Sequence, residues 1–99
     1  MVKVKVEKDI VTITGHANYD EYGKDIVCAS VSATVITSLE AIASFDETLI
    51  DVKETQDKLE IFIKKHVDIT DKLIKNMINC LNEIAKQYPQ NIKIINKEE

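Results

Sequence analysis

The sequence predicts an α+β fold: a two-layer sandwich in which two helices cover an antiparallel-rich sheet, in the order ββαββαβ. Three observations predict it. Short segments near the start and in the middle alternate apolar and polar residues at period two. Two longer segments repeat apolar residues at spacings of three and four, as one face of a helix does. Strand, strand, helix then occurs twice before a final strand, a repeat of topology without residue-level repetition. With 99 residues and 44% hydrophobic content the chain has material for one core and too little for two, so residues 1–99 are expected to form a single domain.

Val2, Val4 and Val6 alternate with Lys3 and Lys5, the pattern of a half-buried strand. Lys8-Asp9 offers a tight turn, and residues 10–16, IVTITGH, supply a second β-branched run that Gly15 stops. From Asp25 to Phe45, the residues Cys28, Val31, Val35, Leu39 and Ile42 trace one helical face, with Ser30, Thr34, Thr37 and Ala41 on the other. Asp25 suits the N-cap, since its carboxylate can accept a hydrogen bond from the N–H of Val27 or Cys28. This helix is rich in small and β-branched residues, so packing must stabilise it.

Residues 48–54 and 58–64 read as a second hairpin around Thr55-Gln56-Asp57, with Leu59, Ile61 and Ile63 in clear alternation. After His66, the stretch DITDKLIKNMINCLNEIAKQY places Leu73, Met77, Ile78, Leu81 and Ala85 on one face, with Asp68 or Thr70 as cap. Pro89 ends this helix, IKIINK forms a last strand, and the tail Lys97-Glu98-Glu99 is expected to fray.

All 13 basic residues are lysine and the net charge is −4, so the chain lacks the planar guanidinium fork and the positive excess suited to phosphate backbones. No direct nucleic-acid partner is expected. Residues 1–50 carry four lysines against eight acids, and residues 51–99 carry nine of each, so the negative excess lies in the first half. Asp20, Glu21 and Asp25 crowd one loop there, which fits a solvated surface or a site for a basic partner. Apolar runs are interrupted by Thr, Ser or charge, so no bilayer span and no membrane partner are expected. The N-terminus lacks a continuous apolar signal block, which predicts a cytoplasmic protein with Cys28 and Cys80 as free thiols.

One stretch carries chemistry: GHANYDEYGKDIVCASVSA, residues 15–33. With Asp25 as cap, Cys28 falls at the third helical position, where free backbone N–H groups and the helix dipole favour a thiolate and can hold an oxyanion. His16 ends a strand whose direction can bring its imidazole to the same helix start, within reach of the thiol proton. The connection between them is longer than a minimal strand-to-helix link, contains Tyr19 and Tyr22, ends at Gly23, and is built like a lid. An extended substrate is expected along the strand edge near His16. Read without function, Cys28 is a core thiol and His16 closes a strand. That version describes an interaction module, a small α+β domain that binds a peptide or a second copy of itself through a strand edge without chemistry.

The same stretch resembles the signature of the ribosomal-processing cysteine proteases, the Prp family: Gly-His-Ala, a short loop, then Gly-x-Asp-Ile-Val-Cys-Ala-Ala-Val-Ser. Gly15, His16 and Ala17 match the first block; Gly23, Asp25, Ile26, Val27, Cys28, Ala29, Val31 and Ser32 match the second, and Ser30 replaces an alanine. The resemblance implies a cysteine endopeptidase that removes the N-terminal extension of a large-subunit ribosomal protein, number twenty-seven. It further implies Cys28 as nucleophile, His16 as its base, a flexible loop over the site and a homodimer. Asp25 is left with two roles, helix cap or orienting acid for His16. Ser32, one turn after Cys28, is read as structural.

No cofactor is expected, and no metal site, because His16, Cys28, His66 and Cys80 lack the short paired spacings of zinc ligands. Cys80 reads as a core or boundary thiol and His66 as a surface or capping residue.

Overall fold

Val2, Val4 and Val6 are buried while Lys3 points to solvent, so the first strand obeys the alternation its sequence predicts. The structure, a computed structural model, describes residues 1–15 and 24–97, with only the backbone of residues 24 and 25. In chain order the elements are β1 (Val2–Val6), β2 (Ile10–Thr14), α1 (Lys24–Phe45), β3 (Ile50–Glu54), β4 (Lys58–Ile63), α2 (Asp68–Gln87) and β5 (Ile92–Asn96). The predicted ββαββαβ order is the observed one.

The five strands form one mixed sheet in the order β3-β4-β2-β1-β5. Three neighbouring pairs are antiparallel, and β1 runs parallel to β5. Register aligns the apolar rows. Val6, Val11, Ile61 and Val52 pair in succession across four strands, and Val4 lies between Ile13 and Ile94. The helices pack on this face and on each other. Thr12 sits between Lys5 and Glu60 in the row of opposite parity.

Gly15 ends β2 with φ at 78°, a left-handed conformation. A Cβ there would overlap the carbonyl oxygen of Met1, so the close approach of the two backbones also demands glycine. Asp46 shapes the turn after α1: its Oδ1 accepts from the Thr48 N–H at 2.8 Å and the Thr48 hydroxyl at 2.7 Å. Those two bonds hold its carboxyl below the usual carboxylate range.

Both helices differ in detail from expectation. The core stripe of α1 runs through Val27, Val31, Val35 and Ile42, while Cys28 and Leu39 are half-buried at its margin. In α2 the buried line is Thr70, Ile74, Met77 and Leu81, with Leu73, Ile78 and Ala85 flanking it. Thr70 is therefore core and not a cap. The N-cap position belongs to Val67, which makes no side-chain capping bond, and Asp68 is the first helical residue. The acids Asp68 and Asp71 in the first turn supply negative charge at the helix's positive end instead.

The expectation that no segment is apolar enough to span a bilayer does not hold for α1. Ile26–Phe45 reaches a mean hydropathy of 1.8. Its hydroxyls interrupt the apolar run at little cost, because Thr34 donates to the Ser30 carbonyl at 2.8 Å and Ser38 to the Thr34 carbonyl at 2.7 Å. The helix lies on the sheet with one stripe in the core, and its remaining apolar residues, Ile26, Ile36 and Phe45, are exposed.

Candidate active site

Cys28 stands one turn inside α1, half-buried against the edge of the core. The helix begins at Lys24, so Asp25 is its second residue rather than its cap, and Cys28 is its fifth rather than its third. The helix-initiating N–H groups without intrahelical partners therefore belong to the residues before Cys28. A helical Cα–Cβ bond tilts toward the N-terminus, which carries the Cys28 thiol back over that turn. Proximity to the positive end of the dipole survives the shift in boundary.

A pocket of about 150 Å³ opens beside this thiol, lined by Met1, Val2, Gly15, Val27, Cys28, Gln90 and Asn91. Four parts of the fold meet there: the start of β1, the end of β2, the first turns of α1 and the turn that enters β5. Parallel pairing of β1 with β5 produces this meeting, because it sets Val2 opposite Ile92. The Val2 N–H donates to the Asn91 carbonyl at 2.8 Å and fastens the two segments. The pocket is small and mixed in character, wide enough for part of a chain pressed against a thiol.

His16, Tyr19, Tyr22 and Gly23 lie outside the described residues, as does the side chain of Asp25. Gly15, which precedes His16 in the chain, lines the same pocket as Cys28. The expectation of a substrate along the edge of the His16 strand is corrected by the topology. β2 is flanked on both sides, by β4 and β1, so its main-chain groups are paired. At this end of the sheet the free edge is that of β5.

Cys80, expected as a core or boundary thiol, is exposed on α2, because the buried line of that helix passes through Met77 and Leu81. Among the described residues neither cysteine forms a disulfide. Among the described residues no cluster of His, Cys, Asp and Glu is arranged to hold a metal ion.

Sequence reasoning missed a second polar cluster at the opposite end of β1. His66 Nε2 lies 2.7 Å from Asp9 Oδ1, and its Nδ1 lies 2.8 Å from Asp71 Oδ1. The imidazole thus links the β1–β2 turn to the first turn of α2. The hydrogen bond with Asp9, then that with Asp71, raises the His66 pKa above its ordinary value. No motif signals this arrangement, since Asp9 is 57 residues from His66 and only the fold unites them.

The family model described as Cysteine protease Prp matches residues 1–93. Relatives named Ribosomal processing cysteine protease Prp include one from Bacillus subtilis, 33% identical over 90 residues, covering 83% of this chain and 80% of that protein. Another, from Mycoplasma genitalium, is 32% identical over 101 residues and covers 99% of this chain and 97% of that protein. The crystal structure of the ribosomal processing protease Prp from S. aureus in complex with a substrate peptide superposes with a TM-score of 0.85. Identity is 27%, and the match spans 98% of this chain and 100% of that one. A second structure of the same S. aureus protein carries a covalently linked product peptide. A chain that a family model matches almost end to end, with the same fold as its solved members, belongs to the Prp family of cysteine proteases and is a cysteine peptidase.

Proposed function

We propose that this peptidase removes the N-terminal extension of large-subunit ribosomal protein twenty-seven, with Cys28 as nucleophile and His16 as general base. The observation that carries the reading is the common pocket of Cys28 and Gly15. Gly15, the residue that precedes His16 in the sequence, lines the pocket of the Cys28 thiol. The family signature supplies the rest, with the same histidine and cysteine in its two blocks.

The chemistry follows from those groups. The Cys28 thiolate attacks the scissile carbonyl carbon, and the carbonyl oxygen takes up the negative charge. Collapse breaks the C–N bond, His16 delivers the proton to the departing amine, and a thioester to Cys28 remains. Water, deprotonated by His16, hydrolyses that thioester and regenerates the thiol. Asp25 contributes negative charge in the first turn of α1 or orients His16, and Tyr19, Tyr22 and Gly23 cover the thioester. Excess acid in residues 1–50 suits a basic ribosomal segment, a reaction placed in the cytoplasm where ribosomes assemble.

The homodimer belongs to the same proposal. Ile36 on α1 and Val52 on the edge strand β3 are both exposed, and they border an apolar groove of about 220 Å³ with Val35, Leu39 and Leu59. A helix apolar on nearly every side, with only one stripe in the core, leaves a surface that a second copy covers.

The test is incubation with a peptide spanning the extension junction, with mass detection of the products. Cleavage at one bond, lost in Cys28→Ala and in His16→Ala with folding intact, supports the assignment. Cleavage that persists in either variant overturns it.

A further inference from the structure

The turn between α2 and β5, Tyr88-Pro89-Gln90-Asn91, has its backbone groups engaged. The N–H groups of Asn91 and Ile92 donate to the Tyr88 carbonyl at 2.9 and 3.2 Å, and the Asn91 carbonyl accepts from Val2. Gln90 and Asn91 line the Cys28 pocket, and neither carboxamide has a hydrogen-bond partner among the described residues. Asparagine in a turn ordinarily has one of two structural reasons: its side chain bonds the local backbone, or its backbone is left-handed. Neither applies here. No side-chain bond to the turn exists, and among the described residues no non-glycine residue has positive φ.

A carboxamide offers two N–H donors and an oxygen with two lone pairs, the complement of a peptide unit. Asn91 is half-buried, so its amide loses part of its hydration without a partner among the described residues in return. The turn leads directly into β5, the free edge of the sheet at this end. A chain laid against Cys28 from that side meets Gln90 and Asn91 first.

We infer that Asn91, with Gln90 beside it, is a substrate-positioning residue, whose carboxamide hydrogen-bonds the main chain of the peptide held against Cys28. The inference rests on Cys28 as the nucleophile. Main-chain contact of this kind acts on binding and register and leaves the reactivity of the thiol alone.

Steady-state cleavage of the junction peptide by Asn91→Ala, Gln90→Ala and the double variant tests it, alongside the rate of Cys28 alkylation by iodoacetamide and a thermal melt. Loss of one or two hydrogen bonds to substrate should raise KM roughly five- to tenfold in Asn91→Ala and further in the double variant. kcat and the alkylation rate should stay within about twofold, and Asn91→Gln should recover part of the loss. Gln90 is exposed, so its truncation reports on substrate contact even if Asn91→Ala melts early. Unchanged KM in Gln90→Ala and the double variant overturns the inference, as does a fall in kcat together with alkylation. Cleavage that persists in Cys28→Ala instead overturns the nucleophile assignment, a failure visible without any variant of the turn.

Discussion

Gly15, at the end of β2, and Cys28, one turn into α1, line a single pocket although 12 residues separate them in the chain. The left-handed backbone of Gly15 and its packing against the Met1 carbonyl fix where β2 releases the chain toward α1. Gly15→Ala should therefore destabilise the fold by about 1–3 kcal/mol and depress cleavage, since both strain and overlap follow from one methyl group. Urea denaturation monitored by circular dichroism reads the first effect and peptide turnover the second.

Thr70 is fully buried on α2, and its hydroxyl has no hydrogen-bond partner among the described residues. Valine has nearly the same shape and no polar atom. Thr70→Val should stabilise the protein by roughly 1 kcal/mol, the cost of an unsatisfied buried hydroxyl. A higher urea midpoint with unchanged slope is the expected readout.

His66 ties Asp9 to Asp71, with Glu7, Lys8 and Lys75 lining the adjoining groove. Its folded-state pKa is raised, so its contribution to stability is fully present below the ordinary value of 6.5 and is lost as pH rises through the higher folded value. The stability difference between the wild type and His66→Gln should shrink as pH rises through that window. Denaturation midpoints for both proteins across pH give the comparison.

Charge on the α1–β3 groove should block self-association. Ile36→Lys and Val52→Lys each place an ammonium on an exposed apolar surface and leave the core untouched. Sedimentation velocity should show a dimer for the wild type and a monomer for the double variant, with each fold intact by circular dichroism.

The acidic first half of the chain predicts a salt effect. Raising ionic strength screens attraction between a basic peptide and these carboxylates, so KM should climb with salt while kcat holds. Steady-state kinetics over a salt series reads it.

Much of the fold was legible because strand and helix periods are local. Val2, Val4 and Val6 alternate in sequence as they do in burial, and Pro89 marks the end of α2 from two residues away. Helix rotation was less legible. Leu73 and Ile78 are as apolar as the residues that reach the centre of α2, and only the position of the sheet decides that Ile74 and Thr70 turn inward. The sequence places the start of α1 two residues late because aspartate favours the first turn as well as the cap. Cys28 and His16 stand out through a motif of 18 residues, whereas Gln90 and Asn91 reach the Cys28 pocket only through parallel pairing of β1 with β5. Long-range pairing leaves no signal in a local window, and the His66 bridge was hidden for the same reason.

The identity of the nucleophile is tested most directly by intact-mass analysis of the protein quenched in acid during turnover of the junction peptide. An acyl adduct that maps to Cys28, absent from Cys28→Ala and present in Cys80→Ala, is the predicted result. Full cleavage by Cys28→Ala, or an adduct on another residue, would contradict it.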